Sequence, residues 1–317
     1  MQINQTTLAN FFRSFRVLFL KEMQGAEPEW PKIAMRMPSN AAEEVYAWLG
    51  AMPGLRKMMG KAIIQNFSAS DYRIKNDEYE STIPVKEADI ERDRLGIYTP
   101  LMSNLAVAAA ASVDALMANT LEGGFTNADY TGKNFFDTNK KHEPNNSKSL
   151  TFTNLMTAPL SANSFAAAKA LLKGMKNSQG NAMGLGKKLL LVVPPALESM
   201  ALQILTAENI AATAKNTDGT IAGVAAVTNV QKGTADYLVW SQLAGSDTAW
   251  FLLEVGLPVK ALIYQDEKAI DLLAVTTPQS EHVVLYHEYI YQAYARFGAG
   301  YGLPQLAIGS TGVGAAI

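Results

Sequence analysis

"TPLMSNLAVAAAASVDALMANTLEGG", Thr99 to Gly124, decides how this chain is built. Thr99 is a good N-cap, and Pro100 suits the first helical turn. Leu101, Leu105, Ala109, Ser112 and Leu116 recur at helical steps, and Gly123 supplies the stop. At a rise of about 1.5 Å per residue, roughly 22 residues make a helix of about 33 Å. Its alanines let other elements approach the axis closely. The spacing predicts a long, straight strut with the rest of the chain arranged around it.

Upstream, Leu8, Phe11, Phe12, Phe15, Leu18 and Phe19 recur at three- and four-residue steps, so residues 4–24 read as a helical arm capped by Thr6 or Thr7. Arg13, Arg16 and Lys21 break its apolar run, which excludes a secretory signal. Two more helices are expected, over Ala41–Leu49 (Ser39 or Asn40 as cap) and over Leu55–Gln65, between breaks at Pro28, Pro31, Pro38 and Pro53. "YRIKNDEYES" then reads as two strand arms around a Lys75-Asn76-Asp77 turn. The stretch is too charged for a core element, so a projecting hairpin is expected.

Downstream, Ser161–Asn177 reads as a helix and "GNAMGLGKK" as a joint. "KLLLVVPP" reads as a buried strand, followed by the helix "ALESMALQIL". "AGVAAVTNV", "DYLVWS", "AWFLLEV" and "VKALIYQ" are strand-like, so residues 186–278 are expected to form an α+β unit. The segment "EHVVLYHEYIYQAYARFGAGYGLPQ" fits a long strand by its β-branched and aromatic content, although a helical stripe also runs through it.

Candidate chemistry is sparse. "GNAMGLGKK" fails as a phosphate loop: Asn181 stands where the first glycine belongs, Lys188 replaces Ser or Thr, and the glycines precede a strand. His282 and His287 are spaced wrongly for a shared metal. Glu87, Asp89, Glu91 and Asp93 would align on a strand, but with Arg92 and Arg94 interleaved they read as a charged edge. His142, in the loop after Phe135 and Phe136, has Asp137 nearby but no G-x-S-x-G nucleophile pattern anywhere. It reads as structural, with the two phenylalanines anchoring an elbow and "DTNKKHEPNNSKS" lying outside. No catalytic, cofactor-binding or metal-ligating residue is expected. The absence of cysteine excludes disulfides and thiolate chemistry. A formal charge of −2 argues against a broad nucleic-acid-binding surface. No apolar run reaches the roughly 18 residues that span a bilayer, and no membrane partner is expected. An arm, a charged projection, a strut and no site together suggest an assembly subunit.

Five segments in order resemble the Mu-like bacteriophage major head (capsid) protein family: "VYAWLGAMPGLR" (45–56), "YESTIPVKEADIERDRLGIYTPL" (79–101), "YTGKNFFDTNKKH" (130–142), "LVVPPALESMALQIL" (191–205) and "ARFGAGYGLPQLA" (295–307). The resemblance departs at Pro304, where the family's "GYGLWQ"-like segment has tryptophan. It implies an α+β fold, that of tailed-phage and herpesvirus capsids. The implied parts are an N-terminal arm with helices (1–64), an extended hairpin loop (65–95), a peripheral domain (96–185) with a spine helix at 99–122, an axial domain (186–278), and a terminal strand (279–317) returning to the peripheral domain. It implies a non-enzymatic shell subunit of a virion, assembled in the host bacterial cytoplasm as pentamers and hexamers. Scaffold, portal and decoration proteins are the expected partners, with double-stranded DNA packaged without specific recognition. With no long charged prefix, no built-in scaffolding domain is expected. Encapsulin compartments, which hold a cargo enzyme, share the fold and are the alternative. Expected intersubunit contacts are Phe11, Phe12, Phe15 and Phe19 on the arm, and Arg73, Lys75, Asp77, Glu78, Glu80, Glu87, Asp89, Glu91, Arg92 and Arg94 on or beside the hairpin. Lys75 and Asn76 are the candidates there for a crosslink.

Overall fold

The structure, a computed structural model, describes residues 5–49, 71–92, 95–143, 146–215 and 221–315. In chain order the elements are α1 (Gln5–Gly25), β1 (Ala34–Pro38), β2 (Glu43–Val45), β3 (Arg73–Lys75), β4 (Asp77–Lys86), α2 (Glu87–Glu91) and α3 (Thr99–Gly123). Then come β5 (Lys140–Lys141), β6 (Thr151–Phe152), β7 (Leu155–Met156), α4 (Ala162–Lys173), β8 (Leu189–Val193), α5 (Glu198–Leu205), β9 (Asn209–Lys215) and β10 (Ile221–Thr228). β11 (Asp236–Val239), β12 (Trp250–Glu254), β13 (Leu262–Val275), α6 (Glu281–Tyr286), β14 (Glu288–Tyr301) and β15 (Ala307–Ser310) complete them.

Two sheets carry the core. The first runs β1-β13-β14-β4. β14 pairs antiparallel with β13 from Leu262↔Tyr301 to Val275↔Ile290, and with β4 from Phe297↔Asp77 to Glu288↔Lys86. Tyr289, Tyr291, Ala293, Ala295 and Phe297 alternate inward along β14 and are buried, as a half-covered strand requires. The strand reading of this segment holds from Glu288. Its first residues form α6, which His287 ends in the left-handed conformation at φ 54°. α1 and α3 cover the sheet, so Leu8, Phe15, Phe19, Met102, Leu105 and Ala106 join Val85, Leu272, Tyr289 and Tyr291 in one cluster.

The second sheet runs β11-β8-β12-β15-β7. Every residue of β8 and β12 is buried, which explains why β8 reads as an unbroken apolar run and not as alternation. β15 enters this sheet beside β12. The terminal segment therefore divides between the sheets: β14 lies in the first, and the chain crosses through a turn at Pro304–Leu306 to the second. Likewise 186–278 is not closed on itself. Its β13 belongs to the first sheet, while β7 and β15 come to it from outside.

Several expectations are corrected. Residues 41–49 are not a helix: Glu43–Val45 pairs with β3, from Glu43↔Lys75 to Val45↔Arg73. The helix expected at 55–65 lies outside the described residues, as do parts of the 65–95 segment. Among its described residues that segment is not a hairpin, because β3 and β4 do not pair with each other. β3 takes β2 as partner and β4 takes β14. The arms of the antiparallel pair are thus β2 and β3. Glu87–Glu91 is helical, so its carboxylates do not line a strand. The strut helix is present, but its N-cap is Tyr98, not Thr99. Its buried stripe is Met102, Leu105, Ala106, Ala110, Val113, Met117 and Leu121, with Leu101 exposed. α3 is also long and apolar enough to cross a membrane by length and composition. The alanines raise its hydropathy, and the face it buries against α1 and β14 accounts for that composition.

Candidate functional site

The expected arm contacts turn inward. Phe15 and Phe19 are 6% and 0% exposed, and Phe11 and Phe12 are half-buried against the same cluster. Phe15 meets the Tyr291 ring edge-on at 5.3 Å and Phe12 lies 6.5 Å from it. Arg16 donates to both carboxylate oxygens of Asp271 on β13, at 3.0 and 2.7 Å. The stripe thus has a partner within the subunit. Helical periodicity gives the apolar face of a helix but not the surface that covers it.

The charged stretch divides by position. Arg73 pairs with Glu43 at 2.7 Å and Lys75 with Asp77 at 3.2 Å, and all four side chains are at least half exposed. Asp77, Glu78 and Glu80 line the outer strand of the first sheet, exposed. Glu80 accepts from Thr82 at 2.7 Å and Gln292 at 3.2 Å, and these bonds hold its carboxyl below the usual range. Such charges on an edge strand discourage unwanted strand pairing. Glu87 lies 3.1 Å from His287, and Asp89 accepts from the Tyr98 hydroxyl at 2.8 Å. Glu91 and Arg92 are exposed at the end of α2; Arg94 lies outside the described residues.

Asn76 is no part of an exposed tip. It is 8% exposed and its amide is fully engaged. Its Nδ2 donates to Ser39 Oγ at 2.9 Å and Ala41 O at 2.8 Å; its Oδ1 accepts from Gln265 Nε2 at 2.8 Å. Gln265 also donates to Ile74 O, and its Oε1 accepts from the Tyr46 hydroxyl at 2.8 Å. This network fastens the β2–β3 pair to the first sheet. Glycines let it sit close: a Cβ on Gly298 would fall 2.3 Å from Lys75 O, and one on Gly300 2.4 Å from Ile74. Asn76 is therefore unavailable for a crosslink.

The loop after Phe136 lies outside only in part: Thr138, Asn139 and Asn146–Lys148 are exposed, but Lys140 and His142 are buried. Lys140 and Asp129 form an ion pair at 2.5 Å with both side chains 0% exposed. The Lys140 ammonium also donates to Asn134 O at 2.7 Å and Phe135 O at 2.8 Å. Asp129 Oδ1 accepts from the Thr131 amide at 2.8 Å and its hydroxyl at 2.5 Å. Burial pushes the carboxyl up and the ammonium down, each opposed by the other's charge. Three acceptors surround the ammonium, so it serves as an internal fastening with no free face toward solvent. His142, 4% exposed, stacks at 4.7 Å on Phe152 and accepts on Nδ1 from Gln305 Nε2 at 3.2 Å. Burial lowers its pKa and favours the neutral ring. Nothing in the local sequence marks Lys140 as buried; the Tyr-Thr-Gly turn that returns Asp129 toward it is the only hint.

The glycine joint carries left-handed residues at Gly180, Gly184 and Gly186. The buried Glu254 carboxylate accepts from the amides of Gly186, Lys187, Lys188 and Gly256. That occupies these amides with a protein carboxylate. Among the described residues no group of His, Cys, Asp and Glu could hold a metal ion. The arrangement offers surfaces and fastenings.

A family model described as the Mu-like prophage major head subunit gpT matches residues 8–158, 155–241 and 224–313. The major capsid protein of Escherichia phage Mu is 26% identical over 312 residues, covering 98% of this chain and 76% of that protein. A Mu-like prophage FluMu major head subunit of Haemophilus influenzae is 25% identical over 296 residues, covering 93% and 70%. A chain of the bacteriophage JBD30 procapsid superposes with a TM-score of 0.58 at 26% identity, covering 97% of this chain and 76% of that one.

Proposed function

This chain belongs to the Mu-like prophage major head subunit gpT family, and on that premise we propose that it is the major capsid subunit of a Mu-like phage or prophage. Copies of it build a closed shell. The observation that carries this reading is the match to the phage Mu major capsid protein over 98% of the chain. Its matched relatives are phage head proteins, which favours a virion shell over an encapsulin-like compartment. The role is structural. The chain's formal charge of −2 supports a shell that encloses DNA without gripping it. Scaffold, portal and decoration proteins are its expected partners in the head, and assembly in the host cytoplasm belongs to the same reading.

The contacts between copies are heterologous and close by rotation into rings. Arg73, Lys75, Asp77, Glu78, Glu80, Arg92 and the exposed end of α2 remain candidates for them; Phe15 and Phe19 do not, being covered within the subunit. Electron microscopy of the chain expressed alone and with its neighbouring head genes tests the function. Shells, tubes or capsomer rings are expected. A monodisperse monomer under every condition would refute it.

A further inference from the structure

Two of the parallel strand pairs begin side by side. β1 runs with β13 from Ala34↔Leu262 in the first sheet, and β11 runs with β8 from Asp236↔Leu190 in the second. Just ahead of three of these strands stand Lys32, Lys260 and Lys188, and Asp236 opens the fourth. Together with Leu205 and Tyr237 they line one open cavity of about 560 Å³. Three ammonium groups thus converge from distant points of the chain, opposite one carboxylate.

These charges are poorly matched within the subunit. Lys32 has Glu29 as its ion-pair partner. Among the described residues the exposed Lys188 ammonium has no partner, and neither Lys188 nor Lys260 forms an ion pair. Lys260 donates to Pro31 O and, at 3.0 Å, to Lys32 O, which fixes its position and leaves one of its three N–H groups unengaged. Burial lowers its pKa, and the charge of Lys188 lowers it further. The Glu254 carboxylate lies behind the Lys188 backbone, but the amides of Gly186, Lys187, Lys188 and Gly256 occupy it. Two cations are therefore held close together at a concave site without a counter-charge, a cost that a bound anion would remove. Ammonium groups are compact point charges that suit phosphoryl oxygens. The volume falls in the range of small-molecule sites, about 300–1,000 Å³. A DNA duplex carries its phosphates on a convex surface, which a cavity between two strand pairs does not admit.

We propose that this cavity binds a free oligophosphate, with Lys188 and Lys260 as its cationic contacts and Lys32 completing the wall. Isothermal titration of the unassembled full-length chain with sodium triphosphate, at fixed ionic strength, tests it. Saturable binding at a single site per chain is expected. K188Q should weaken that binding about tenfold, the effect of losing one charge-assisted hydrogen bond. K187Q alters a neighbouring lysine that does not line the cavity, and it should bind as the wild type does. D236N should bind more tightly, because it removes the one carboxylate that faces the anion; this gain keeps the test independent of any folding defect in K188Q. No triphosphate binding by the wild-type chain at millimolar concentration would overturn the inference. Equal losses in K187Q and K188Q would overturn it too, since the attraction would then be diffuse. So would an unchanged or weaker D236N, or a short DNA duplex that binds and is not displaced by triphosphate. The inference stands apart from the shell-subunit reading, and none of these outcomes bears on that reading.

Discussion

Replacing Lys140 by Met removes the charge opposite Asp129 while keeping an apolar stem of similar length. In the wild-type subunit both side chains are fully buried. The ammonium satisfies Asp129 Oδ2 and the carbonyls of Asn134 and Phe135. K140M leaves a buried carboxylate held only by Thr131, and breaking one side of such a pair costs about 3–5 kcal/mol. For a chain of this size that corresponds to a fall in melting midpoint on the order of 10 °C. Urea unfolding of the unassembled subunit, followed by Trp fluorescence and far-UV circular dichroism, measures the loss. Adding D129N to K140M is expected to recover about 2 kcal/mol, because the amide keeps an acceptor for Thr131 and removes the unpaired charge. A K140M loss below about 1 kcal/mol, or a double variant less stable than K140M alone, would show that the pair is not the fastening inferred here.

The arm gives a paired comparison by the same unfolding assay. F19A should cost about 3–5 kcal/mol by opening a core cavity, whereas R16A, at a part-exposed ion pair, should cost under about 1 kcal/mol; equal effects would place the arm elsewhere. His142 has a lowered folded pKa against an ordinary value of 6.5, so the unfolded chain takes up the proton first. Its contribution to stability is complete above about pH 6.5 and is lost as pH falls toward the folded pKa, and H142Q should flatten this acid limb; an unchanged limb refutes it. Replacing Arg73–Glu80 by a short Gly-Ser turn should lower the melting midpoint clearly, since it removes Ile74, Asn76 and the first pairs of β4 with β14. An unchanged midpoint would return that segment to a projecting loop.

The sequence alone determined the elements whose signals are local. Helical spacing set α1 and α3. Ser161 set the start of α4, where it and Ser164 form a reciprocal cap. An unbroken apolar run set β8, and β-branched and aromatic content set β14. The five ordered segments brought the family within reach. Tertiary structure decided what those elements touch. Alternation in Tyr79–Val85 shows that a strand is present, but its partner β14 lies about two hundred residues away, and the nearer arm Arg73–Lys75 turns instead to Glu43–Val45. Charge made the stretch look like a projection because an edge strand and a free hairpin expose the same row of side chains. The phenylalanines of α1 looked unpartnered because a periodic stripe carries no record of the sheet that will cover it. Lys140 looked like loop surface because a buried ammonium differs from an exposed one only in its neighbours, and Asp129, Asn134 and Phe135 gather around it only once the chain has folded.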